Sequence, residues 1–198
     1  MRQSRSRKIQ TGATLAVSIA VFACSPDDSS IASTIIDTPN GRQLILSESM
    51  ESALAAFDPH FSIRETSDYP QFAIDYWRQP GQAMFAALGD FNADGIQDAV
   101  LDGESREYSR RLAILSKQNE YFVVEVMRLE AVPKDRDSHN FTNDGLGGIR
   151  SGKVTSRVET EPEPLLLKGD GFVGVFIEKG AGVYYYRDGA LQTFFITD

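Results

Sequence analysis

Apolar and polar positions change rhythm once along this chain, near residue 80. Upstream, Met50, Leu54 and Phe57 recur at spacings of four and three, which lines up one stripe of a helix over 48–57. Ser47 stands where an N-cap belongs, Glu48 and Glu51 suit the positive helix end, and Pro59 stops the run. Downstream, the apolar residues alternate or run together over three to nine positions. Segments 83–88, 99–101, 111–115, 121–129, 172–178, 182–186 and 191–196 therefore read as strands, with weaker candidates at 152–159 and 164–168. The connections Lys117-Gln-Asn-Glu120, Gly169-Asp-Gly171, Lys179-Gly-Ala-Gly182 and Arg187-Asp-Gly189 have the composition of hairpin turns. Residues 68–80, aromatic and broken by proline, are expected to form a loop or short helix that anchors Phe72, Tyr76 and Trp77 in the core. The charged, glycine-rich stretch 133–148 is expected to be a mobile loop. The fold class that follows is α+β: a mainly antiparallel β-sheet with one N-terminal helix, in a single β-rich domain over residues 41–198.

One polar stretch has a logic of its own. Residues 89–98 read Gly-Asp-Phe-Asn-Ala-Asp-Gly-Ile-Gln-Asp. Asp90, Asn92, Asp94 and Asp98 put oxygen-bearing side chains at loop positions 1, 3, 5 and 9, and Gly95 sits at the sharp turn. A hard cation such as Ca²⁺ takes roughly six to eight oxygens, and a loop offering them at alternate positions can wrap one. Ile96, at position 7, would add its backbone carbonyl and direct its side chain into the core. Three carboxylates this close repel one another unless something neutralises them. The alternative is an ion-free turn, because Asp, Asn and Gly favour turns through side-chain-to-backbone hydrogen bonds. An EF-hand is excluded, since it needs a Glu at position 12, where this chain has Leu101, and a helix on each side, where this chain has strand-like runs. The pattern resembles the calcium loop of FG-GAP/VCBS-type repeats, D-x-[DN]-x-D-G-x-x-D, and Gly89 and Phe91 match as well. The resemblance spans residues 83–103 and implies a structural Ca²⁺ held by Asp90, Asn92, Asp94, Ile96 and Asp98. The signature occurs once, and His139-Asn-Phe-Thr-Asn-Asp-Gly145 echoes it without its spacing, so a full β-propeller is not implied.

The first 23 residues give an address. Arg2, Arg5, Arg7 and Lys8 precede an uncharged stretch from Thr11 to Ala23, too short for a permanent membrane span. It ends at Cys24, the only cysteine. This resembles a bacterial lipoprotein signal peptide, which implies a lipid (palmitate-type) anchor on Cys24 and, with Ser25 following, sorting to the outer membrane. Residues 24–40 are polar and turn-rich, as a flexible tether would be. Without residues 1–23 the chain carries 16 basic side chains against 28 acidic ones, which disfavours nucleic acid as a partner. Outside the cytoplasm even a weak calcium site, of about 10⁻⁴–10⁻³ M, would fill.

Catalytic signatures are thin. His60 and His139 are the only histidines, no G-x-S-x-G elbow surrounds Ser105, and a single cysteine provides neither a thiol nucleophile nor a zinc cluster. Gly147 to Lys153 fits most of a phosphate loop, but Val154 replaces the hydroxyl that would hold Mg²⁺. The expected role is therefore a non-enzymatic, membrane-anchored binding or assembly lipoprotein of the cell envelope. Its partners would be the bilayer through Cys24 and an envelope protein or glycan. Two alternatives stand beside it: an envelope hydrolase using Asp75, Asp102 or Glu104, and an inhibitor whose acidic surface blocks a basic envelope enzyme.

Overall fold

The computed structural model describes residues 32–39, 41–77, 83–106, 108–118, 120–130, 144–159, 163–176 and 180–197. The signal segment, Cys24, most of the expected tether and His139 lie outside the described residues. In chain order the elements are β1 (Thr34–Thr38), β2 (Gly41–Ile45), α1 (Glu48–Phe57), β3 (Ser62–Ile63), α2 (Gln71–Tyr76), β4 (Ala86–Gly89), β5 (Asp98–Ser105), β6 (Tyr108–Lys117), β7 (Glu120–Glu130), β8 (Asp144–Ile149), β9 (Gly152–Val154), β10 (Leu165–Leu167), β11 (Gly171–Phe176), β12 (Gly180–Arg187) and β13 (Ala190–Thr197). Every strand pairing among the described residues is antiparallel. No described helix is long and apolar enough to cross a membrane.

Two sheets form the body. One runs β3-β5-β6-β7, with β4 pairing the same edge of β5 as β3; the other runs β13-β12-β11-β8. Alternate residues of a strand face opposite ways, and here the central strands of both sheets are covered on both faces. Ala99, Leu101, Leu112 and Ile114 pack under Met50 and Leu54 of α1 and Ala73 of α2. Their neighbours Val100, Ala113 and Leu115 face the second sheet, meeting Leu146 and Phe172. On the far side of that sheet, Val183 and Phe194 are covered by Leu165 and Leu167 of the small β9–β10 hairpin. That layering explains why β5 and β6 are buried almost without a break, polar residues included, rather than alternately exposed. Ser47 caps α1 by accepting from the Met50 N–H at 3.4 Å.

A charged pair sits between the sheets. Asp102 and Arg111 face each other across β5 and β6, and Nε and Nη2 of Arg111 donate to the two carboxylate oxygens at 2.7 and 2.9 Å. Neither side chain is more than 1% exposed. The guanidinium reaches β11, where a Cβ on Gly174 would lie 2.6 Å from Nη1. Glycine is needed there so that one sheet can rest on a cation held by the other.

Several expectations change. Residues 34–38, expected within the flexible tether over 24–40, form a strand instead: Thr34–Thr38 pairs with Gly41–Ile45 in a hairpin whose Ile35 and Leu44 pack on the first core. Part of the expected mobile loop is β8, whose Gly145 lies so close to the Trp77 ring that a Cβ would come within 2.7 Å of it. Phe72 and Tyr76 do not anchor in the core; they are 54% and 61% exposed, and Trp77 alone of the three packs on it. The strand expected over 83–88 begins at Ala86, after a tight turn bridged by Ala83 and Ala86. From Gly147 the chain passes out of β8 into β9, so the helix N-terminus that a phosphate loop requires is missing.

Candidate metal centre

The loop 90–97 joins β4 to β5, whose terminal residues Gly89 and Asp98 pair directly. Its shape comes from side-chain oxygens accepting backbone N–H groups. Asp90 accepts from Asp94 at 3.0 Å and from Gly95 at 2.9 Å; Asn92 Oδ1 accepts from Asp94 at 3.1 Å; Asp94 Oδ1 accepts from Ile96 at 2.9 Å. The winding requires left-handed backbone at Ala93 (φ +64°) and Gly95 (φ +85°). Gly95 adopts this at no steric cost, while Ala93 gives up about 1 kcal/mol.

Asp98 is the floor of the loop. It is fully buried, with Oδ2 accepting from Phe91 at 2.8 Å and Asn92 at 3.2 Å, and Oδ1 from Ser116 at 2.7 Å. Burial pushes its carboxyl up to about 6 despite these three donors, each of which pulls the other way. The Ser116 hydroxyl donates to Asp94 Oδ2 at 2.6 Å, and Asn92 Nδ2 donates to the Ser116 carbonyl at 2.6 Å. Tyr121 donates to the Gln97 carbonyl at 3.0 Å, and its phenol is pushed up by burial first and then by the negative charge of Asp98 and Asp94. Ile96 is half-exposed and belongs to none of the core clusters, contrary to the expectation that its side chain points inward.

A second loop clasps the first. Asp170, between β10 and β11, donates its N–H to the Asp90 carbonyl at 2.8 Å and accepts the Asp90 N–H at 3.3 Å. Its carboxylate also takes Arg150 Nη1 at 3.0 Å and the Ser151 N–H at 3.1 Å. Gly169 makes this approach feasible, since a Cβ there would lie 2.8 Å from the Asp90 carbonyl oxygen. Neither Ser116 nor Asp170 is singled out by the sequence. The one clue was Gly169-Asp-Gly171, a turn with a spare carboxylate.

The donors are all oxygen, which suits a hard cation in kind. Asp90, Asn92, Asp94, Asp98 and the Ile96 carbonyl are the groups that would hold one, and every carboxylate oxygen among them already accepts a hydrogen bond from within the protein. Among the described residues no three His, Cys, Asp or Glu side chains form a ready-made metal cluster. N–H and O–H donors offset part of the expected carboxylate repulsion, and an ion would add its charge to theirs.

Other candidate groups are separate from this loop. Asp102 is closed off by Arg111. Glu104 pairs with Arg64 at 3.1 Å, and Asp75 is exposed on α2, accepting from Gln71. The His60 N–H donates to Asp58 Oδ1 at 2.9 Å, just past α1. Asp58 Oδ2 in turn accepts from Ser105 at 2.5 Å and Arg110 at 2.7 Å, and the Ser105 hydroxyl leads the contacts that hold its carboxyl below the usual range. Of the three consecutive tyrosines of β12, Tyr184 is stacked on Phe172 at 5.0 Å, and Phe172 meets Phe91 edge-on at 5.4 Å, tying the loop to the second sheet. No family model, curated protein sequence or solved structure matches this chain.

Proposed function

We propose that this chain is a calcium-stabilised binding or assembly module of the bacterial cell envelope, anchored by a lipid on Cys24 and acting without catalysis of its own. The observation that carries it is the nested wrap at Asp90–Asp98. Alternate oxygen side chains are turned about Gly95 by the loop's own N–H groups, in a segment that resembles an FG-GAP/VCBS-type calcium loop. The basic, apolar leader ending at Cys24 and the acid-rich remainder support an address outside the cytoplasm. In this role Ca²⁺ would neutralise Asp90 and Asp94 and stiffen a loop clasped by both sheets.

Calcium titration of the full chain in detergent, followed by melting in excess Ca²⁺ and in EGTA, tests the reading. One saturable site is expected, and calcium at about a hundred times its Kd should stabilise by about 2.7 kcal/mol. Asp94→Ala should abolish that increment. An unchanged calcium affinity in the variant, or no binding by the parent chain, would refute the assignment.

A further inference from the structure

Beside the clasped loops lies a cleft of about 580 Å³, within the roughly 300–1,000 Å³ range of small-ligand sites. Its floor is Asn92 and Ala93 of the acidic loop with Gly169 and Asp170, and its walls are the Leu166–Lys168 segment and the end of β12. The chemistry of this lining is mixed in a specific way. Tyr185 and Tyr186, on opposite faces of β12, are both half-exposed at the cleft, while the exposed Lys168, Arg187 and Asp188 offer hydrogen-bonding heads. Tyr185 is held in place, donating to Gln192 Oε1 at 2.9 Å with the Arg187 guanidinium 5.0 Å above its ring. Formal charge cancels, because Lys168 and Arg187 stand against Asp170 and Asp188.

We propose that this cleft binds an uncharged pyranose oligosaccharide. A pyranose presents a flat C–H face, which stacks on a tyrosine ring, and an edge of paired hydroxyls, which planar Asp and Arg groups recognise by accepting and donating together. A phosphate-bearing ligand would find no net positive charge here, on a chain of formal charge −8. A purely apolar ligand would strand the charged heads. The assignment deepens the binding-module reading by naming a ligand class, and rests on it only for calcium dependence. Asn92 and Ala93 belong both to the acidic loop and to the floor of the cleft, so an ion in the loop should firm one wall of the sugar site.

The test is calorimetric titration of the full chain, in a sugar-free detergent, with N,N′-diacetylchitobiose and with cellobiose, each in Ca²⁺ and in EGTA. Saturable binding of either disaccharide is expected, tighter in calcium, and weakened about tenfold or more by Tyr186→Ala and by Arg187→Ala. Tyr186 also packs on the core, so the exposed Arg187 keeps the test valid if the first variant folds poorly. Tyr76→Ala, on α2, should leave binding unchanged. Equal binding in EGTA supports the cleft and separates it from the metal reading, which calcium titration of the same samples judges independently. No binding of either sugar at millimolar concentration, or full affinity in Arg187→Ala, overturns the proposal.

Discussion

Replacing Arg111 by methionine leaves the Asp102 carboxylate buried between the sheets with no counter-charge. The two side chains are 0% and 1% exposed and joined by two hydrogen bonds, so solvent cannot take over the lost partner. At a charge separation of about 4 Å and an effective dielectric of 20, the attraction forfeited is about 4 kcal/mol, within the roughly 3–5 kcal/mol expected for breaking a buried pair from one side. For a domain of this size that is a fall of about 10 °C in Tm. Removing both charges, as Asp102→Leu with Arg111→Met, should recover most of the loss, because the pair's attraction is largely offset by the desolvation of two ions. Gly174 supplies an independent check on the same geometry. Alanine there places a methyl group 2.6 Å from Arg111 Nη1 and should cost about 1–3 kcal/mol, but distinctly less once methionine has replaced the guanidinium. Urea unfolding followed by Trp77 fluorescence and circular dichroism gives all the free energies needed. The reasoning fails if Arg111→Met costs under about 1 kcal/mol, or if Gly174→Ala costs the same in both backgrounds.

Two further outcomes follow from the contacts around the acidic loop and α1. Gly169→Ala should push the two loops apart, with a stability loss of about 1–3 kcal/mol and faster amide exchange at Asp94 and Gly95; unchanged exchange there would show that the clasp does not hold the loop. Asp58 has its carboxyl held below the ordinary value, so it stabilises the fold above the ordinary carboxylate pKa of 3.8, and that contribution is lost as pH falls through the lower folded value. Ser105→Ala removes the leading cause, and the acid limb of the melting profile should move to higher pH; an unmoved limb would show that the Ser105 hydroxyl does not matter to it.

How legible this fold was in sequence depended on how local each cause is. The cap, acidic first turn and apolar stripe of α1 all lie within a dozen residues, and they mark its bounds. β7 and the strands from β11 to β13 announce themselves because β-branched and aromatic residues fill them, while β5 and β6 show only their central runs, 99–101 and 111–115. Their layering was hidden, since a strand buried on both faces carries no alternation to say which side meets helices and which meets another sheet. β8 was missed because Gly145, Gly147 and Gly148 carry no side-chain signal; Gly145 is explained only by the Trp77 ring above it. The loop's composition was read directly, but the inward turn of Asp98 depends on Ser116, 18 residues away, and the clasp depends on Asp170, 80 residues from Asp90. Phe72 and Tyr76 were misplaced because six residues of α2 give too few turns to tell its buried side from its exposed one.

The β1–β2 hairpin also sets a length of leash. Ser33, whose hydroxyl accepts the Ser47 N–H at 2.8 Å, already belongs to the folded body. With the anchor proposed at Cys24, nine peptide steps separate lipid from domain, a reach of about 30 Å even if fully stretched. A tether running to residue 40 would have reached nearly twice as far. The domain would then patrol a thin shell next to its own bilayer, and any glycan or protein it engages would have to come within that shell.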